Sequence, residues 1–81
     1  MSKWEKLLAR LYSLPSDMQF QELKKILLKY GYEDQQPKSG SSHHTFRKKG
    51  RSPITIPAHS PIKKFYVEMV RDLVESEEQT K

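Results

Sequence analysis

Apolar residues recur along the chain in two different periods. Trp4, Leu7, Leu8 and Leu11 return at helical spacing with Lys3, Glu5, Lys6 and Arg10 between them, which predicts a first helix over 2–13. Ser2 is placed to cap it, and Leu14-Pro15 ends it, because the residue before proline is pushed out of the helical region. Phe20, Leu23, Ile26, Leu27 and Tyr30 form a second stripe. Its cap is expected at Ser16 or Asp17, with Gln19 in reach of a capping box from Ser16. Gly31 stops this helix as the residue after its C-cap.

The period then shortens. Tyr32 opens an extended segment that fades through Glu33–Gln36 into Pro37, read as an edge strand. Gly40, Ser41 and Ser42 make a turn. His43–Lys48 and Pro53–Pro57 are a second and a third strand, joined by the hairpin loop Lys49-Gly50-Arg51-Ser52. Ser60-Pro61 is expected to start a last helix, whose stripe is Ile62, Phe65 or Tyr66, Met69, Val70, Leu73 and Val74. From Glu75 onward the sequence is polar and acidic and is expected to fray, with 77–81 as a tail. The order α-α-β-β-β-α predicts an α+β fold: a three-stranded antiparallel sheet with helices on one face and the other face open. The 81 residues make one small domain, 1–81, with a core over 16–76. A chain of this length buries only about 60% of its unfolded surface, so a partner would help to stabilise it.

Charge changes this picture from scaffold to function. The net charge is +5, but residues 38–64 hold seven basic side chains (Lys38, Arg47, Lys48, Lys49, Arg51, Lys63 and Lys64) and no acidic one. A concentrated basic patch is the footprint of a polyanion binder, most often a nucleic acid, and otherwise a solvated face kept for solubility. The chain has no cysteine, which excludes disulfides and thiolate zinc sites and fits a reducing compartment. No apolar run approaches the ~20 residues that span a bilayer. The N-terminus carries charges within its apolar part, unlike a signal peptide. A cytoplasmic protein without a membrane partner is expected.

Strand parity separates the histidines. Phe46 is the one large apolar residue of the second strand, so it points to the helices and takes His44 and Lys48 to its side. His43, Thr45 and Arg47 then share the open face. A histidine, with an ordinary pKa of about 6.5, can take a proton from a ribose 2′-OH or deliver one to the leaving oxygen while cations hold the phosphate. Lys38, Arg47, Lys48, Lys49 and Arg51 are the cations expected to do so. Lys63 and Lys64 sit where the last helix begins, at a dipole end that favours an anion. His59 either binds phosphate or finishes the turn before that helix. A metal site is not expected, because adjacent strand histidines point to opposite faces and no carboxylate lies between 38 and 64. Phe20, Tyr30 and Tyr66 keep the helical stripe and are expected in the core.

Several of these elements together resemble a known family. A helix ending in Tyr30-Gly31-Tyr32 is followed by Ser41-Ser42-His43-His44-Thr45-Phe46, a basic hairpin, Ile56-Pro57-Ala58-His59 and a helix. Over about residues 20–74 this resembles the HicA-type mRNA interferase toxins. The resemblance implies a double-stranded-RNA-binding-domain-like fold and a metal-independent endoribonuclease without cofactor. It implies that the toxin cuts mRNA and is neutralised by a HicB-type antitoxin. It implies His43 as the catalytic residue, with Ser42 beside it in the substrate-binding set. The glycine stands one residue further from the histidine than in the family's compact Gly-Ser-His, which keeps His44 as the alternative. The helix over 1–15 is extra to the shortest members. Two other readings remain at this stage: a non-catalytic RNA-binding module of the same fold, and an interaction protein whose basic face docks an acidic partner.

Overall fold

A computed structural model describes residues 2–35, 43–58 and 61–79. Its elements run α1 (Lys3–Tyr12), α2 (Phe20–Lys29), β1 (Glu33–Gln35), β2 (His43–Arg47), β3 (Ile54–Pro57) and α3 (Lys64–Gln79). The strands form one antiparallel sheet in the order β1-β2-β3, with β2 in the centre. Class and order are those read from the sequence. The turn at Gly40–Ser42, the end of the first strand at Gln36-Pro37 and the Ser60 cap lie outside the described residues.

Each helix is stopped and started by identifiable groups. Ser2 caps α1, its hydroxyl accepting from the Glu5 N–H at 3.1 Å while the Glu5 carboxylate reaches back to the Ser2 N–H. The cap of α2 differs from expectation: it is Gln19, whose N–H the Glu22 carboxylate accepts at 2.9 Å. Arg10 accounts for the shift. Its guanidinium binds the Asp17 carboxylate and carbonyl, each at 3.0 Å, and reaches Glu22 at 2.6 Å. Asp17 is therefore drawn to α1, Met18 turns inward and is fully buried, and the helix begins at Phe20. Gly31 closes α2 with φ +95°, and the N–H groups of Gly31 and Tyr32 bond back to the carbonyls of Leu28 and Leu27.

The last helix also starts later than expected, at Lys64. The Ile62 N–H is committed elsewhere, to the Met18 carbonyl at 2.7 Å, and the first helical bonds run to the Lys63 carbonyl. The helix then continues to Gln79, through the acidic stretch expected to fray. Val67, Val70, Val74 and Glu77 form its buried face, while Phe65 is exposed and Tyr66 half-buried.

The core lies between the helices and one face of the sheet. Leu11, Met18, Leu23, Ile26, Leu27, Phe46, Ile56, Val67, Val70 and Val74 are fully buried there. At about 25 cal/mol per Å² of apolar surface removed from water, such side chains supply ~1.5–3 kcal/mol each before entropy is counted. Of the three aromatics expected in the core, Phe20 is buried, whereas Tyr30 and Tyr66 pack at its margin.

Candidate functional site

The central strand divides its chemistry between two faces. His44 and Phe46 are buried, and His43 and Arg47 are exposed, in the alternation that parity predicts. The register is Glu33 opposite Arg47, Gln35 opposite Thr45, Thr45 opposite Thr55, and His43 opposite Pro57. The open face is therefore a polar surface made by Glu33, Gln35, His43, Thr45, Arg47 and Thr55. The Thr45 and Thr55 hydroxyls approach to 3.2 Å across it.

Beneath that face, His44 is held. Its ring packs on Phe20 with centroids 4.8 Å apart, and its Nδ1 lies 2.8 Å from the Asp34 carboxylate. Lys24 of α2 reaches the same carboxylate at 3.1 Å. Burial pushes the Asp34 carboxyl up, but the hydrogen bond from His44 and that from Lys24 outweigh it and hold the group below the usual carboxylate range. An ionised carboxylate only accepts, so Nδ1 carries the proton of this bond. Asp34 faces His44 diagonally across the β1–β2 pair, a neighbour set by strand register. No carboxylate lies between 38 and 64 in the sequence. The sheet brings one in from β1.

The hairpin cations are likewise divided. Lys48 donates to Glu77 at 2.7 Å, and Arg51 reaches Glu77 at 3.4 Å and the Ser76 hydroxyl at 3.3 Å. The Lys48 hydrogen bond, against the opposing effect of burial, holds the Glu77 carboxyl below its ordinary value. Sequence reasoning missed Glu77, although a signal was present. Val67, Val70, Val74 and Glu77 follow one another at three- and four-residue steps, which puts a carboxylate on the buried face. A carboxylate there needs a cation from the sheet.

Arg47 and Lys49 remain exposed. With Lys48 and Arg51 they line an open groove of about 560 Å³ whose other walls include Gly31, Glu33, Gln35 and Pro53. Lys63 and Lys64 are exposed at the start of α3. Lys38, Ser42 and His59 lie outside the described residues. Of the expected cations, Arg47, Lys48, Lys49 and Arg51 thus line one groove at the Arg47 end of β2, with Lys48 and Arg51 also clamped to α3, and Lys63 and Lys64 stand where α3 begins.

Among the described residues no group of three or more His, Cys, Asp or Glu side chains is assembled that could hold a metal ion. No helix there is long and apolar enough to cross a membrane.

The described residues thus present a polar open sheet face with an exposed histidine, a cation groove at one end and helices packed behind. No match was found among curated proteins or among solved structures. A family model described as the HicA toxin of bacterial toxin–antitoxin systems matches residues 20–74, which take in α2, the whole sheet and most of α3. The chain therefore belongs to the HicA toxins.

Proposed function

We propose that this protein is a metal-independent endoribonuclease that cuts mRNA in the cytoplasm, with His43 as its catalytic residue, and that a HicB-type antitoxin neutralises it. The observation that carries the reading is the position of His43. It is exposed at the head of the central strand, on the same open face as Arg47, while its neighbour His44 is turned inward. His43 moves a proton at the ribose 2′-OH or at the leaving oxygen, and the groove cations hold phosphates further along the strand. His43 and Arg47 are four strand residues apart, about 14 Å at ~3.4 Å per residue. The histidine and the groove therefore engage different nucleotides of one strand. An antitoxin that lays acidic or bulky side chains over His43 and the hairpin would block charge and chemistry together.

One observation favours a second reading. His44 has a carboxylate on Nδ1, the arrangement that orients an imidazole for proton transfer. Inducing wild type, His43→Ala and His44→Ala side by side separates the two. Growth arrest and RNA cleavage lost in His43→Ala, with a folded protein by circular dichroism, supports His43. Retained arrest in His43→Ala together with a folded but inactive His44→Ala moves the site by one residue. RNA binding without cleavage by any of the three would leave a non-catalytic RNA-binding module.

A further inference from the structure

The cation groove has a neighbour. A second cavity of about 470 Å³ lies where α1, the end of α2 and α3 come together, walled by Trp4, Lys29, Tyr30, Glu78 and Glu77, the last of these neutralised by Lys48 and Arg51. Gly31 and Lys48 line both cavities. At Gly31 the partition is bare backbone, and a Cβ added there would stand 3.5 Å from the Lys48 Cε. Among the described residues the other shared wall is the Lys48 side chain, whose ammonium is held by Glu77 at 2.7 Å. A nucleotide whose phosphate rests among the groove cations is thus within one glycine of the second cavity.

We propose that this second cavity is a nucleobase subsite that favours guanine, an inference that rests on the RNA reading above. Trp4 and Tyr30 present aromatic surface, their ring centroids 6.0 Å apart and their planes tilted by 50°. Base–aromatic stacking is sequence-tolerant and is worth ~1–3 kcal/mol per base. Lys29 stands over the indole, 5.7 Å from its centroid, and is exposed, so an entering base displaces a solvated lysine and leaves the core intact.

The rim supplies the discrimination. Glu78 is a carboxylate and accepts only, already taking the Tyr30 hydroxyl at 2.6 Å. A carboxylate has about four lone-pair sites, so the Tyr30 bond does not exhaust it. Lys29 and Lys48 donate only. Guanine offers both complements: donors at N1 and N2 for the carboxylate, and acceptors at O6 and N7 for an ammonium. Adenine and uracil turn lone pairs toward part of the carboxylate. Cytosine has one donor group and lacks the N7 acceptor. Trp4 belongs to α1, outside the segment 20–74 that the family model matches, so the stacking wall is what the extra helix adds.

The chain has a single tryptophan, so its fluorescence reports on this cavity alone. The full chain is titrated with GMP, AMP, CMP and UMP. Saturable quenching is expected, with GMP about fivefold or more tighter than the other three. Glu78→Gln, which still accepts from Tyr30, should bring the four nucleotides close to parity. The double reversal Arg47→Glu with Lys49→Glu should weaken all four and keep the preference. No saturable quenching by any nucleotide, equal quenching by all four, or an undiminished GMP preference in Glu78→Gln would each overturn the proposal. RNA cleavage by the same preparation keeps the two readings apart. Cleavage without nucleotide quenching sinks the subsite alone, whereas quenching without cleavage keeps the subsite and sinks the nuclease.

Discussion

Replacing Glu77 with glutamine should lower stability and raise RNA affinity at once. The Glu77 side chain is 10% exposed, and the Lys48 and Arg51 side chains that meet it are 29% and 34% exposed. Glutamine keeps the shape and an acceptor but loses the charge. A hydrogen bond to a charged group contributes ~1.5–3 kcal/mol and a neutral one ~0.5–1.5 kcal/mol. The 2.7 Å bond from Lys48 therefore weakens by about 1 kcal/mol. The 3.4 Å contact of Arg51 is long and open to solvent, and adds little. For a domain of this size, 1 kcal/mol shifts the melting temperature by roughly 4–8 °C, readable by thermal circular dichroism. The two cations are then available to phosphate. Each phosphate neutralised on a single strand adds about 0.7 to the slope of log affinity against log salt, so the slope should steepen by up to ~1.4. Fluorescence anisotropy with labelled RNA in a salt series measures it. A melting point that stays put would show that the carboxylate does not anchor the hairpin. A fallen melting point with an unchanged slope would show that Lys48 and Arg51 were already serving RNA, or never do.

Phe46→Ala removes a fully buried ring from the centre of the sheet and should cost ~3–5 kcal/mol, enough to leave the chain largely unfolded at 37 °C; a cooperative melt close to that of wild type would contradict the core assignment. Asp34 should make stability depend on acidity in one direction only. Its pKa is lowered on folding, so its contribution is fully present above the ordinary carboxylate value of about 3.9 and is lost as pH falls through the depressed one. Melting temperatures of wild type and Asp34→Asn should accordingly differ at neutral pH and converge below about pH 4, and a constant offset between them would rule out this linkage. Arg10→Ala should loosen the first turn of α2, seen as faster amide exchange at Phe20–Leu23, because Arg10 orders both Asp17 and the Glu22 of the α2 cap. Unchanged exchange there would show that the Gln19–Glu22 bond stands by itself.

What could be read ahead of the structure was whatever a local period encodes. Helical spacing placed α1 and α2 to within a few residues, and strand parity put His43 outside and His44 inside. What escaped were interactions set by pieces of chain far apart. The α2 cap moved to Gln19 because Arg10, on another helix, claimed Asp17. The Asp34–His44 bond joins two strands through a diagonal fixed by their register, which no periodicity announces. Glu77 was the exception, a residue whose spacing gave it away but whose acidic neighbours suggested an end rather than an anchor. The cationic patch was legible as charge and not as geometry, because charge along a chain does not say which cations a distant carboxylate will take.

The role of α3 bears on the order in which this toxin comes into being. The buried side of the strand that carries His43 shares one core with Val67, Val70 and Val74, and its hairpin is tied to Glu77, all from a helix made later in synthesis than the strand itself. While residues 64–79 are still unmade on a ribosome, Phe46 has Phe20 of α2 against it but the core lacks its α3 side, and Lys48 has no Glu77 to bind. A two- or three-stranded sheet without a covered apolar face is marginal in water. On the reading that the open sheet face acts on RNA, that face is held in its final form only once α3 has been made.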